Sequence, residues 1–134
     1  MEQWRDIKGY EGTYQVSNLG NVKTLERTIR YLHEANRSEQ TRVIKERKLK
    51  GTIDLDTNYR IFSLRKNKKG KTRRAHQLVA EAFLGHVPNG LELVVDHIND
   101  DPLDNRAVNL QMLGNKENMD KGKRKKQLER NLNT

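Results

Sequence analysis

A chain of 134 residues has room for one compact domain or two very small modules, which excludes a large multidomain enzyme. A net charge of +9, a pI near 9.9 and only 33% hydrophobic residues favour a basic surface and a polyanionic partner, whose neutralised phosphates release counterions, although ribosome-associated and membrane-surface proteins share such a composition. The absence of cysteine excludes disulfides, thiolate zinc sites and iron–sulfur clusters; the charged start and the lack of any run of about 18 apolar residues imply neither a leader nor a spanning helix, and so a soluble cytoplasmic protein with no membrane partner.

In chain order, residues 1–25 show Tyr14 and Val16 alternating with polar neighbours, then Asn18 and Gly20 with turn chemistry before Val22, which predicts a β-hairpin. The stretch 26–46 is highly charged and has no clear period, so an exposed loop or mobile insertion is expected, with a short surface helix as the alternative. Residues 47–75 predict two or three strands: Leu49 and Ile53 in the first, Tyr59, Ile61, Phe62 and Leu64 in the second, and a third after a turn marked by Gly70. Across the last two strands run Arg60, Arg65, Lys66, Lys68, Lys69, Lys71, Arg73 and Arg74 with no acid among them. Such a strand pair suits a phosphate backbone or a groove, with a solvated hairpin as the alternative.

The period then changes. In AHQLVAEAFLG, the residues Leu78, Val79, Ala82 and Phe83 fall on one helical stripe ended by Gly85, predicting an amphipathic helix that covers the sheet. A turn at Pro88-Asn89-Gly90 leads to LELVVDHI, which reads as a buried strand ending in two chemically capable residues. The turn-rich NDDPLDNRAVN precedes a return strand at Leu110–Leu113, a polar helix from about residue 115, and a basic tail containing Lys123, Arg124, Lys125 and Lys126.

Of the four histidines, His97 is beside a carboxylate, Asp96, at the end of an apolar strand. A base that deprotonates water and a hard cation that neutralises developing charge together suit phosphodiester hydrolysis. Magnesium takes oxygen ligands and keeps several waters, so the carboxylate of Asp96 and the amide oxygen of Asn118 can suffice once phosphate completes the shell. Strict strand alternation would point Asp96 and His97 to opposite faces, so the site calls for a twisted or irregular strand end. Without further context, an Asp-His pair at a strand end is more often structural than catalytic.

Residues 94–119, VVDHINDDPLDNRAVNLQMLGNKENM, resemble the HNH motif of phage and intron-encoded homing endonucleases, with Asp96-His97, Asn109-Leu110 and Asn118 in the family's order. AHQLVAEAF is similar to that family's His-led helix, and WRDIKGYEGTYQVSNLGNVKTL to the nuclease-associated modular domain that often begins these enzymes. The resemblance implies His97 as general base, Asp96 and Asn118 as ligands of Mg2+ or Mn2+, and Asn109 as the residue that fixes the loop or orients the imidazole. His76 is expected to cap or pack. The chain departs from the pattern at Asn99-Asp100, where a turn glycine is usual and the left-handed conformation is less well tolerated, and at Met112 and Gly114, in place of a tryptophan and a capping threonine.

The expected fold is α+β, a small N-terminal antiparallel β-sheet followed by a ββα-metal finger. A β-rich DNA-binding module would cover 1–75, the HNH domain 76–121 and the basic tail 122–134. The expected function is metal-dependent endonuclease activity on duplex DNA, leaving 5′-phosphate and 3′-hydroxyl ends, with a protein partner as one source of specificity; the alternative is a non-cleaving DNA-binding or regulatory protein on the same scaffold. A basic RNA-binding protein would explain the charge but not the motif order.

Overall fold

The computed structural model describes residues 1–87 and 93–114. Three short strands open the chain, β1 (Trp4–Asp6), β2 (Tyr14–Ser17) and β3 (Val22–Thr24). Tyr14 and Val16 of β2 and Val22 of β3 turn inward and are buried, while Gln15 and Lys23 face outward, the alternation that marks a one-faced strand. Ser17 closes the turn between β2 and β3, its hydroxyl accepting from the backbone N–H groups of Leu19 (3.2 Å) and Asn21 (3.1 Å).

The charged stretch that follows is neither a loop nor a helix. It forms a hairpin of β4 (Arg27–Leu32) and β5 (Glu39–Ile44), paired in unbroken register from Arg27↔Ile44 to Leu32↔Glu39. Thr28, Ile29, Thr41, Val43 and Ile44 are β-branched and favour extended backbone. Neither face of the ribbon is buried in a core, so the apolar alternation that would announce a strand is missing. Next, β6 (Arg47–Lys48) pairs with β3 and completes a four-stranded sheet in the order β1-β2-β3-β6.

A three-stranded antiparallel sheet follows, made of β7 (Thr52–Ile53), β8 (Arg60–Lys66) and β9 (Lys69–Arg74). The β8–β9 turn lies one step earlier than Gly70 suggested. Asn67 and Lys68 take the left-handed backbone, with φ of 52° and 66°, as a two-residue turn matching strand twist requires, and Gly70 is paired opposite Arg65 within the ladder. Phe62 and Leu64 point from β8 into the core.

The helix α1 (Ala75–Phe83) forms where its stripe predicted, burying Ala75, His76, Leu78, Val79 and Ala80. The chain leaves it at Gly85, whose φ is +68°, and the Arg5 guanidinium donates to the Ala82 carbonyl (2.8 Å) while lying over the Phe83 ring, a cation at the helix's negative end. Then β10 (Leu93–His97) and β11 (Leu110–Gly114) pair antiparallel, with a 3-10 turn (Ala107–Asn109) leading into β11. Only His97 of β10 is buried, so this strand is less covered than its apolar sequence implied. The turn at Pro88-Asn89-Gly90 and the polar helix from about residue 115 lie outside the described residues.

One core joins these parts: Ile7, Tyr14, Val16 and Val22 from the first sheet region, Phe62 and Leu64 from the second sheet, Leu78 and Val79 from α1, and Leu110 from β11. Full burial of each large apolar side chain stabilises by about 1.5–3 kcal/mol, so the hairpin bearing Asp96 and His97 is held by packing against strands far upstream. The α+β class read from the sequence is the architecture the chain adopts. Among the described residues no helix is long and apolar enough to cross a membrane.

Candidate active site

A cleft of about 460 Å³ opens where the segment before β8, the start of α1 and the end of β10 meet; it is lined in part by Tyr59, Arg74, His76, Asp96, His97 and Asp100. The ladder of β10 and β11 stays regular to its last pairs, Asp96↔Gln111 and His97↔Leu110. No irregular strand end is needed, because the cleft extends around the end of β10 and takes both side chains into its wall.

Asp96 is oriented by the residue directly across the ladder: Gln111 Nε2 donates to its Oδ2 at 2.9 Å. His97 is 7% exposed, and its Nε2 lies 2.8 Å from Oδ1 of Asn105, itself 4% exposed. The Asn105 Nδ2 donates to the Leu103 carbonyl (3.5 Å), which turns the amide oxygen toward the ring. An amide oxygen only accepts, so in this amide orientation His97 Nε2 is the donor, and in the neutral ring Nδ1 is then the nitrogen able to accept a proton.

Asn109, expected to fix the loop or orient the imidazole, does the first. Its Oδ1 accepts from the Asn99 backbone N–H (3.2 Å), and its Nδ2 donates to Asn99 Oδ1 and to the Asp104 carbonyl, both at 2.9 Å. Asp100 adopts the left-handed turn conformation where the family pattern has glycine, with φ of 63° and its N–H on the His97 carbonyl (3.0 Å). In the same loop Arg106 forks onto Asp104 with two bonds of 2.8 Å, holding that carboxyl down to about 2.

His76 packs rather than caps. Its ring sits 4.6 Å from Tyr59 and 4.9 Å from His97, centroid to centroid, and it is 3% exposed. Burial first, then the neighbouring His97 and Arg74, push it down to about 3, so it is neutral at ordinary pH. Among the described residues, the Nδ1 atoms of His76 and of His86, which also lines the cleft, are buried without a hydrogen-bond partner.

The basic residues of the second sheet divide by surroundings. Arg60 donates to the Lys50 carbonyl and stacks on Phe62, Lys66 Nζ donates to the Gly9 carbonyl (2.7 Å), and Arg73 pairs with Glu81. Arg74 lies over Tyr59 at the cleft. Arg65, Lys68, Lys69 and Lys71 are exposed, with no ion pair among the described residues. Asn118 and the tail cations Lys123, Arg124, Lys125 and Lys126 lie outside the described residues, among which no three His, Cys, Asp or Glu side chains cluster to hold a metal. Asn105 and Gln111 were not singled out by the sequence. Gln111 could have been found by extending the hairpin register back from the Asn109-Leu110 corner, whereas Asn105 offers only a polar residue in a turn-rich run.

Residues 73–120 match the family model described as HNH endonuclease, and residues 2–65 match that of the NUMOD4 motif. The segment 73–120 belongs to the HNH endonuclease family. It is 38% identical over 118 residues to DNA endonuclease I-HmuI of Bacillus phage SP01, covering 88% of the chain and 56% of that protein. It is 34% identical over 120 residues to the uncharacterized HNH endonuclease L247 of Acanthamoeba polyphaga mimivirus, covering 88% of the chain and 25% of that protein. A solved structure concerned with DNA binding and cleavage by the HNH homing endonuclease I-HmuI is similar with a TM-score of 0.68 at 33% identity, covering 92% of this chain and 59% of that one. The resemblance to phage-type HNH homing endonucleases with an N-terminal nuclease-associated module therefore holds. The chain spans little more than half of the phage protein's length and a quarter of the mimivirus protein's.

Proposed function

We propose that this chain is a divalent-metal-dependent endonuclease that hydrolyses phosphodiester bonds in duplex DNA. The observation that carries the reading is the Asp96–His97 pair at the end of β10, both in one cleft, with the imidazole oriented by Asn105. Membership of the HNH family and the similarity to I-HmuI, a DNA endonuclease, support it.

His97 is the general base. With Nε2–H held on Asn105, its Nδ1 takes a proton from the attacking water, and the imidazolium so formed keeps a charge-assisted bond to the Asn105 oxygen. His76, neutral beside it, adds no competing positive charge as that imidazolium forms. A carboxylate held in the cleft by Gln111 is the hard oxygen donor that Mg2+ or Mn2+ prefers, so Asp96, together with the Asn118 amide oxygen, would hold the cation. When bound, the cation supplies neutralisation of the charge that builds on the phosphate and the leaving 3′ oxygen. Asn109 keeps the loop closed under the site. Arg65, Lys68, Lys69, Lys71 and Arg74, aided by Lys123, Arg124, Lys125 and Lys126, hold the DNA backbone.

The test is cleavage of supercoiled plasmid with Mg2+, Mn2+ or EDTA, comparing the native protein with His97→Ala. Nicking or linearisation that needs the metal and vanishes in His97→Ala, with DNA binding retained, is the expected result. A His97→Ala protein that cuts at the native rate removes His97 as the base, and DNA binding with no cutting under any condition makes the chain a binding protein on a nuclease scaffold.

A further inference from the structure

We infer that the turn between β2 and β3 is a positioning element for His97, acting through Asn105 across the joint between the N-terminal strands and the finger. The inference rests on the reading of His97 as the base. It begins at Gly20, whose φ is +90° and on which a Cβ would lie 2.8 Å from the Asn105 Cβ and 3.3 Å from the Asn105 carbonyl carbon and oxygen. The bare Cα of Gly20 is thus the surface against which Asn105 rests, and on its other side Asn105 meets His97 Nε2 at 2.8 Å.

The turn is built to serve as a wall. The Asn18 carbonyl accepts from the Ala107 N–H at 2.7 Å, clamping the turn to the finger loop two residues beyond Asn105. Asn18 is itself pinned to Gln3, whose N–H donates to Asn18 Oδ1 (2.7 Å) and whose carbonyl accepts the Asn18 N–H (3.1 Å). Asn105, by contrast, sits in irregular chain with Leu103 O and the imidazole as its side-chain partners. The atoms that a Cβ on residue 20 would meet are a Cβ and backbone, which cannot swing aside by rotamer change as a side-chain tip could. The loop must shift instead, and the bond that keeps the proton on His97 Nε2 moves with it.

Gly20→Ala and Gly12→Ala separate this contact from backbone strain. Gly12 also has positive φ, +77°, but a Cβ there meets nothing within 4 Å. On the full chain, nitrogen-15 NMR of the imidazoles, with His97 assigned from His97→Gln, reads the tautomer without DNA or metal. The native protein and Gly12→Ala keep the Nε2–H form, whereas Gly20→Ala gives a mixed or shifted His97 signal. In single-turnover nicking of supercoiled plasmid with Mg2+, Gly20→Ala is slower by about tenfold, the loss of most of one charge-assisted bond, with unchanged DNA affinity. Adding it to Asn105→Ala slows the reaction no further, since the relay is already cut. An unchanged His97 signal in Gly20→Ala, or an equal slowing in the Asn105→Ala background, overturns the proposal. If Gly20→Ala does not fold, Asn18→Ala loosens the same turn without a clash, and a native His97 signal there overturns it too. A shifted His97 signal in Gly20→Ala alongside full cutting by His97→Ala upholds the coupling and removes only the base assignment.

Discussion

Replacing Asn105 with alanine leaves the cleft-lining side chains in place and removes the bond between this amide and His97 Nε2. That bond spans 2.8 Å between two buried side chains, and both partners are uncharged whenever the ring is neutral. When His97 accepts a proton the donor becomes an imidazolium, and a hydrogen bond to a charged group is worth about 1.5–3 kcal/mol. Only the excess of the charged bond over the neutral one, about 0.5–2 kcal/mol, acts on the rate, so at about 1.4 kcal/mol per decade Asn105→Ala should slow the chemical step by about 2- to 30-fold. Stability should fall by about 1–3 kcal/mol, because a buried polar atom loses this hydrogen-bond partner. The assay is single-turnover nicking of supercoiled plasmid at saturating protein, with DNA affinity measured separately by gel shift in EDTA. Because Asn105 is buried, affinity should not change, so the whole effect falls on the rate. A folded Asn105→Ala protein that nicks at the native rate would refute the claim that this amide orients the base.

Two further predictions concern charge. Replacing Arg65, Lys68, Lys69 and Lys71 together by alanine should flatten the log–log salt dependence of DNA binding by up to about 3 to 4, at roughly 0.9 per lost phosphate contact, while Arg73→Ala, which strands Glu81, should instead cost about 1.5–3 kcal/mol of stability with little change in slope; equal slopes for the quadruple variant and the native protein would detach the exposed cations from the DNA. His76, at about 3 in the folded protein against about 6.5 unfolded, contributes stability that is fully present above pH 6.5 and is lost as the pH falls toward 3, at about 1.4 kcal/mol per pH unit between those limits. Urea unfolding of His76→Phe should therefore lose less stability than the native protein between pH 7 and pH 5, and parallel curves would show that His76 is not held neutral.

What the sequence disclosed is what local pattern encodes. The stripe Leu78, Val79, Ala82 and Phe83 specifies α1 because a single face of it is buried, and the alternation at Tyr14 and Val16 specifies β2 for the same reason. The ribbon of β4 and β5 escaped because it buries neither face, so its pairing is carried by β-branched backbone preference and a turn, without periodicity. The order of Asp96-His97 and Asn109 was visible as a motif, and Asn109 clamps its loop within a few residues of chain, an arrangement short enough to be read locally. Asn105 was not visible, since an asparagine in a turn-rich run is ordinarily solvated and only burial gives its amide a single direction. Part of what covers it is Gly20, 85 positions earlier in the chain. A residue chosen for the side chain it lacks leaves no chemical signature beside the site it shapes, and Gly20 reads as ordinary turn chemistry until the finger is packed against it. On the proposed reading, the orientation of the His97 imidazole therefore depends on a tertiary contact between the two halves of the chain, although His97 itself could be picked out from the finger alone.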